Sequence, residues 1–259
     1  MSRGSPGARG GTHPAHTQRQ AVRFDWGLPG ALAQDADVTV VVDVLSFTTT
    51  LTVALERGIE VFPFGANDVR ATSYALTRDA TLAVGRRRAL PGEVSLSPNS
   101  VATADPAVRR LVLPSPNGSS ICFALAAARP GNTVLAASFR NAGPVADAVR
   151  AEIAAGRTVA LIAAGERWPD RSLRPAVEDL WGAGAVLRGL TARGEQDLSV
   201  EARVAASAYD AASGALHREL LDSASGRELV DRGFARDVEI ATGTGSRVVP
   251  RLQGESFAP

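Results

Sequence analysis

Lysine is absent from this 259-residue chain, so all 28 cationic side chains are arginines. The chain therefore has neither the Gly-Lys-Ser/Thr end of a phosphate-binding P-loop nor an amine for Schiff-base chemistry. One cysteine, Cys122, excludes a disulfide framework and any site built from several thiolates. The three histidines are His13, His16 and His217, which argues against a Ser-His-Asp triad or a histidine-rich zinc site. Any catalysis then has to rely on carboxylates, hydroxyls, arginines and backbone amides, with or without a hard metal ion.

Long apolar segments and a strong charge of one sign are also missing. No apolar run approaches the roughly 18–20 residues of a membrane span, and a net charge of +1 does not provide the cationic surplus that nucleic acids require. We therefore expect neither a membrane nor a nucleic acid as partner. Residues 1–20 are rich in Gly, Pro, Ser and Arg and lack the apolar segment of a secretory signal, which predicts a disordered cytoplasmic extension rather than a transit peptide.

Short β-branched segments alternate with helical patterns from about residue 23 onward. The predicted strands lie at 38–42, 59–63, 81–84, 111–113, 133–136, 158–163 and 247–250, and residues beyond about 199 are mostly helical. This alternation predicts a three-layer α/β fold, in which a mainly parallel sheet carries helices on both faces and a helical portion follows at the C-terminus. We expect residues 21–259 to form a single domain. Ligands of such folds bind beyond the carboxyl ends of the strands.

The loop after the first predicted strand carries a carboxylate and several hydroxyls. Asp43 ends the strand, and Ser46, Thr48, Thr49 and Thr50 follow it. A carboxylate in this position can bind a cation or act as a nucleophile, and hydroxyls and amides at a helix start can bind phosphate oxygens. The alternative is that Asp43 only caps a threonine-rich first helical turn.

Three further strand-end loops carry candidate residues. Arginines 86–88 suit a dianionic ligand, unless they form a solvated surface cluster. The polar segment 115–120 lies between a strand and a helix, where it forms either an anion cradle or a turn with a cap. Glu178 and Asp179 lie near a helix start, where they either favour the helix dipole or hold magnesium.

Two phosphatase patterns fail because of their context. Asp35 and Asp37 match an Asp-x-Asp-x-Thr string, but they precede a strand instead of ending one. Cys122 is followed by Arg129 after six residues rather than the five of cysteine phosphatases, and its apolar helical surroundings predict a core residue.

Several segments in a fixed order resemble the 2-phosphosulfolactate phosphatase family. They cover residues 23–252 and read VVVDVLSFTTT, PSPNGSSICFALA, VLAASFRNA, LIAAGE with EDLWGAGAV, and ARDVEIATG with VVP. The resemblance implies a magnesium-dependent phosphatase with a three-layer α/β fold. Its implied substrate is 2-phospho-3-sulfolactate, an intermediate of coenzyme M synthesis.

The chain departs from the family pattern at three places. Ser46 stands where the family has an arginine, and the Gly-Glu-Arg element reads Gly85-Arg86-Arg87, without its acid. The Asn-Ser-Pro segment is reduced to Leu96-Ser97-Pro98. These changes in strand-end loops favour the phosphatase class over the particular substrate, so another phosphate ester is an alternative.

Charge balance suggests roles for these residues. A phosphate monoester brings about two negative charges, which Mg²⁺ held by carboxylates would neutralise. We expect Asp43 and Asp179 to bind the metal, with Glu178 as a third ligand or as the base that positions water. The expected substrate-binding residues are Ser46, Thr48, Thr49, Asn117, Gly118 and Ser119 around the phosphate, with Arg86 and Arg87 on a second anionic group.

Two functions of other classes compete with the phosphatase. One is a non-catalytic protein that binds anions on the same scaffold, and the other is a structural partner protein that uses the helices of 199–240. The oligomeric state, including a homodimer, stays open.

Overall fold

The computed structural model describes residues 18–65 and 68–259. The strands in these ranges are β1 (Val22–Trp26), β2 (Val38–Val42), β3 (Glu60–Phe64), β4 (Thr81–Leu82), β5 (Arg110–Pro114), β6 (Thr133–Ala137), β7 (Val159–Ala163), β8 (Glu166–Arg167), β9 (Leu173–Arg174), β10 (Leu252–Gln253) and β11 (Ser256–Phe257). The helices are α1 (Gly27–Ala33), α2 (Phe47–Glu56), α3 (Val69–Leu76), α4 (Pro98–Ala102), α5 (Gly118–Ala128), α6 (Ala142–Ala154), α7 (Val177–Ala192), α8 (Val200–Ser213), α9 (Leu216–Asp222), α10 (Ala224–Asp231) and α11 (Ala235–Thr242).

The first sheet is fully parallel, with strand order β1-β7-β2-β6. The second strand occupies a central position, with Val40 paired to Leu161 on one side and to Leu135 on the other. All five residues of β2 are buried. Strands covered on both faces are apolar throughout, which explains the β-branched run from 38 to 42.

The second sheet has the order β10-β11-β3-β5-β4. Strands β3, β5 and β4 pair in parallel, whereas the short C-terminal strands β10 and β11 add an antiparallel edge. The prediction of a mainly parallel α/β fold is therefore confirmed, although its strands are divided between these two sheets and a separate antiparallel pair, β8 and β9. Residues 22–26 form a strand that the sequence did not predict, and the strand expected at 247–250 is found at 252–253.

The helices pack closely on these sheets. Asp68 caps α3 by accepting a hydrogen bond from the amide of Arg70, and Gly58 ends α2 with a φ of +72°. A Cβ atom on Gly182 of α7 would lie 2.6 Å from Cγ2 of Val44, so a glycine is needed where this helix approaches the end of β2. The predicted helical C-terminal portion is confirmed as α8–α11.

The N-terminal extension, Cys122 and the helices bear on three further predictions from the sequence. The expected disordered extension falls mostly on residues 1–17, which lie outside the described ranges, and the side chain of Gln18 exchanges two hydrogen bonds with the backbone of Phe24. Cys122 is buried in the core, as predicted. Among the described helices, none has the length and apolarity needed to cross a membrane.

Candidate active site

Loops that follow β2, β5 and β7 meet at the carboxyl ends of the two sheets. The amide of Gly118, after β5, donates to Oδ2 of Asp43, after β2, at 2.7 Å. The side-chain amide of Asn117 donates to Oε2 of Glu166, after β7, at 2.9 Å. The structure thus brings together three of the strand-end loops at the edge where the fold class places ligands.

Asp43 lies at the centre of this region and is only 4% exposed. Its Oδ1 accepts from the amide of Phe47 at 3.1 Å, while Oδ2 accepts from Gly118. Burial raises the pKa of Asp43, and these amide hydrogen bonds oppose the shift. A Cβ atom on Gly118 would lie 2.7 Å from Cβ of Asp43, so only glycine permits this approach. A capping role for Asp43 would account for the hydrogen bond from Phe47 to Oδ1. It does not account for the bond from Gly118 to Oδ2, because Gly118 follows a strand of the second sheet.

Asp179, in the first turn of α7, joins two strand-end loops. Its Oδ1 accepts from the amide of Val44 at 2.7 Å, and its Oδ2 accepts from the amide of Gly165 at 2.8 Å. Burial raises the pKa of Asp179 well above its ordinary value, and the nearby charges of Asp43 and Glu178 add to the shift. Each oxygen keeps a second lone pair after these bonds.

Glu178 is also buried, with an exposed fraction of 2%. Burial raises the pKa of Glu178, and a hydrogen bond from the side chain of Ser225 and the charge of Arg174 oppose the shift. Arg174 in turn donates to Oγ of Ser225 at 3.3 Å. The C-terminal helices therefore contribute to the site through Ser225, at the start of α10.

Glu166 is a site residue that the sequence analysis missed. It accepts from Asn117 and lines a cavity of about 290 Å³. Burial raises the pKa of Glu166 to about 7, and the charge of Asp43 contributes to the shift. The available signal was an acid directly after the strand-like segment LIAA, at a strand end like that of Asp43.

A second cavity, of about 350 Å³, is lined in part by Pro114 and Pro116 at the end of β5. It is lined by Arg86, Arg87, Arg88 and Arg232, together with apolar residues that include Phe234. We call it the arginine cavity. The side chain of Arg86 is partly buried, whereas Arg87, Arg88 and Arg232 are exposed.

Three predicted substrate-binding hydroxyls face the protein backbone. Those of Thr48 and Thr49 donate to the carbonyl oxygens of Asp43 and Val44, both at 2.7 Å. The hydroxyl of Ser119 lies within hydrogen-bond distance of the backbone of Leu113 and Phe64. All three threonine and serine side chains are fully buried. The structure therefore places them in the scaffold under the site, and their role toward a substrate stays a prediction.

The acids of the site supply carboxylate oxygens, the type of ligand that a hard cation prefers. Mg²⁺ is usually held by one or two carboxylates together with substrate phosphate oxygens and water. Within residues 18–65 and 68–259, no group of three or more His, Cys, Asp or Glu is placed to hold a metal ion. A site with only two protein carboxylates, such as Asp43 and Asp179, remains compatible with both statements.

The site lies beyond the carboxyl ends of parallel strands, which is where open α/β folds bind their ligands. The chain belongs to the 2-phosphosulpholactate phosphatase family, whose model matches residues 28–255. The family predicted from the sequence motifs is thereby confirmed, and so is the phosphatase class that it denotes.

Curated relatives give the same result over most of the chain. A probable 2-phosphosulfolactate phosphatase of Thermus thermophilus is 32% identical over 230 residues, which cover 88% of this chain and 92% of the relative. A protein of the same description from Deinococcus radiodurans is 30% identical over 220 residues, covering 83% and 88%. A third, from Parasynechococcus marenigrum, is 32% identical over 170 residues, covering 63% and 66%.

Proposed function

We propose that the chain is a Mg²⁺-dependent phosphatase that hydrolyses a small phosphorylated hydroxy acid. The proposed substrate is 2-phospho-3-sulfolactate, an intermediate of coenzyme M synthesis, or a related phosphate ester. The observation that carries the proposal is the placement of Asp43, which is buried at the end of a central strand, where its charge interacts with those of Asp179 and Arg86. The names of the family and of its relatives support the same reaction.

The charges of the site support the participation of a cation. Burial and mutual charge repulsion raise the pKa values of four acids of the site, so their negative charges are poorly compensated. These acids are Asp43, Glu166, Glu178 and Asp179. A phosphate dianion would be repelled by such a group of acids. We propose that Asp43 and Asp179 hold Mg²⁺, which when bound neutralises charge on the phosphoryl group.

Two side chains are proposed to bind and orient the phosphate ester. Arg86 lines the arginine cavity and Asn117 lines the cavity of Glu166, and both side chains donate hydrogen bonds. The amide of Gly118 already donates its hydrogen bond to Asp43. We therefore propose that Gly118 contributes to phosphate binding only because it lets Asp43 approach closely. Arg87, on the rim of the arginine cavity, is proposed to bind a second anionic group of the substrate.

Glu166 is proposed to supply the proton that the leaving oxygen needs. A carboxyl with a pKa of about 7 is protonated in a large fraction of molecules near neutral pH, so it can act as a general acid. When the phosphorus–oxygen ester bond breaks, the alkoxide takes this proton and leaves as a hydroxy acid. Glu178 either completes the ligands of the cation or accepts the proton of the attacking water.

The proposal is tested by measuring inorganic phosphate released from a panel of phosphorylated hydroxy acids, with Mg²⁺ and with a chelator. We expect release that needs Mg²⁺ and that falls by about a hundredfold or more in Asp43→Asn, because the charge is lost while the size is kept. Asp68→Asn is the matched control, since Asp68 caps α3 and lies outside the site. Asparagine caps a helix about as well as aspartate, so this control should keep its turnover.

Two outcomes contradict the proposal. If Asp43→Asn turns over substrate at the rate of the unmodified chain, Asp43 is a structural cap and not a metal ligand. If the whole panel is inert but the same ligands raise the melting temperature, the chain is an anion-binding protein without phosphatase activity.

A further inference from the structure

The cavity of about 290 Å³ that Glu166 lines begins next to the amides that bind the two buried aspartates. We call it the Glu166 cavity, and Asn117 lines it as well. The amide of the residue that follows Asn117 donates to Asp43 at 2.7 Å, and the amide of the residue that precedes Glu166 donates to Asp179 at 2.8 Å. Neighbouring Cα atoms are about 3.8 Å apart. The cavity therefore starts about one residue away from the groups that hold both aspartates.

Five apolar side chains from three parts of the fold form walls of the Glu166 cavity. They come from the start of α1, from the region of α5 and β7, and from the hairpin β8–β9, and they are Leu28, Pro29, Ile121, Ala164 and Leu173. The hairpin packs tightly here, because a Cβ atom on Gly165 would lie 2.6 Å from Cδ1 of Leu173. An apolar cavity of about 150 Å³ is already large enough to bind benzene. The Glu166 cavity therefore has room for an aromatic ring or a branched alkyl group.

The charged side chains of this cavity favour an anion only weakly. Arg167 donates from Nε and Nη2 to the carbonyl oxygen of Pro116, at 3.1 and 2.8 Å. Arg171 is exposed, so water and salt screen its charge. The carboxylate of Glu166, when ionised, repels any other anion in the same cavity.

The arginine cavity has the opposite character. The side chain of Arg86 is 15% exposed there, and its Nε donates to Oδ2 of Asp237, in α11, at 3.1 Å. The other carboxylate oxygen of Asp237 accepts from Oγ of Ser97 at 2.5 Å, which fixes the position of the guanidinium. An anionic group gains charge-assisted hydrogen bonds in the arginine cavity, whereas an apolar group gains more from the walls of the Glu166 cavity.

We propose that the Glu166 cavity binds the organic part of the leaving alcohol, and that this alcohol carries an apolar substituent such as an aromatic ring or a branched alkyl chain. Glu166 is the proposed proton donor to the leaving oxygen, so the carbon bonded to that oxygen lies beside the cavity that Glu166 lines. The substrate is then a phosphorylated hydroxy acid with an apolar side chain, and its acidic group is left for the arginine cavity. The inference rests on the proposed function for the side on which the alcohol leaves. It favours a related ester over 2-phospho-3-sulfolactate, whose sulfonate is anionic.

Binding of unphosphorylated hydroxy acids tests the cavity without catalysis. Isothermal titration calorimetry compares 3-phenyllactate with lactate, which lacks the phenyl group. We expect 3-phenyllactate to bind at least tenfold more tightly, since even one methylene in an apolar pocket is worth about tenfold. Leu173→Asn should reduce this preference at least threefold, because it replaces an apolar wall with an amide. Leu76→Asn, which changes an exposed leucine on α3, is the matched control and should keep the preference.

Phosphate release tests the same preference in turnover. The substrates are 2-phospho-3-sulfolactate and the phosphate esters of 3-phenyllactate and of lactate. In the unmodified chain, kcat/KM should be at least tenfold higher for the phenyllactate ester than for the other two. Leu173→Asn should lower kcat/KM for the phenyllactate ester and leave the lactate ester within about threefold, because lactate offers only a methyl group to the cavity.

The two assays separate this inference from the proposed function. Where any ester is hydrolysed, kcat/KM decides, and equal values for the three esters or a preference for the sulfonate overturn the inference while the phosphatase stands. Where no ester is hydrolysed, the phosphatase is contradicted and binding decides. A preference for 3-phenyllactate then supports the cavity assignment, and its absence overturns it. Both comparisons use the unmodified chain, so they hold even if Leu173→Asn does not fold.

Discussion

Replacing Glu166 with glutamine should stabilise the chain relative to the unmodified chain, and this stability difference should grow as the pH rises. The pKa of Glu166 is raised from 4.5 to about 7 by burial and by the charge of Asp43. Between these two values the folded state keeps a proton that the unfolded state has lost. Its stabilising effect is complete below about pH 4.5 and is lost as the pH rises through about 7.

The size of this effect follows from the shift. A change from 4.5 to about 7 corresponds to about 3.5 kcal/mol at roughly 1.4 kcal/mol per pKa unit. Glutamine stays neutral and can still accept from Asn117. The difference in unfolding free energy between Glu166→Gln and the unmodified chain should therefore grow by up to about 3 kcal/mol in favour of the variant between pH 5 and pH 8.

Urea denaturation at both pH values, in the presence of a chelator, measures this difference. The matched control is Glu201→Gln, because Glu201 is exposed on α8. If Glu166→Gln and Glu201→Gln give the same difference at pH 5 and pH 8, the raised pKa of Glu166 is wrong, and its proposed role as proton donor loses its basis.

Three further substitutions test the packing under the site. Gly118→Ala should destabilise the chain by about 1–3 kcal/mol, because the new Cβ would meet Asp43. Its control is Gly143→Ala, which should not destabilise the chain because nothing lies within 4 Å of the new Cβ. Asp179→Ala should cost about 2 kcal/mol or more in urea denaturation, because two buried amides lose their acceptor, and unchanged stability would contradict the joining role. Ser119→Ala should lower stability by about 1–3 kcal/mol with KM unchanged; a raised KM at unchanged stability would assign the hydroxyl to the substrate.

The central part of the site could be predicted because it depends on local patterns. A valine-rich strand that ends in Asp43 signals a buried parallel strand, and such strands place their ends on one edge. The same reasoning identified Arg86, Asn117 and Asp179 as neighbours of that edge, and the structure places them there.

Other features depend on long-range pairing that no local pattern reports. The division into two sheets follows from which strands hydrogen-bond, and β-branched segments of similar composition do not specify their partners. Glu166 belongs to the site because Asn117 bonds to it, and Asp237 because a C-terminal helix docks on the loop of Arg86. Thr48 and Ser119 are residues of types that commonly bind ligands. Only their burial and their contacts show that their hydroxyls donate to backbone carbonyls.

The anchoring of Arg86 by a C-terminal helix also sets the order in which the site is completed during synthesis. Ser97, in the loop of Arg86, and its partner Asp237 are separated by 140 residues. At roughly 5–20 residues per second, the ribosome needs about 7–30 s to make the intervening chain. For most of that interval, once residue 118 has been added, the segments that carry Asp43 and Gly118 have been made, while Asp237, the partner of Arg86, has not. The scaffold can therefore form before the anion-binding guanidinium is fixed, and a chain truncated before α11 would retain the acids of the site without a fixed counter-charge.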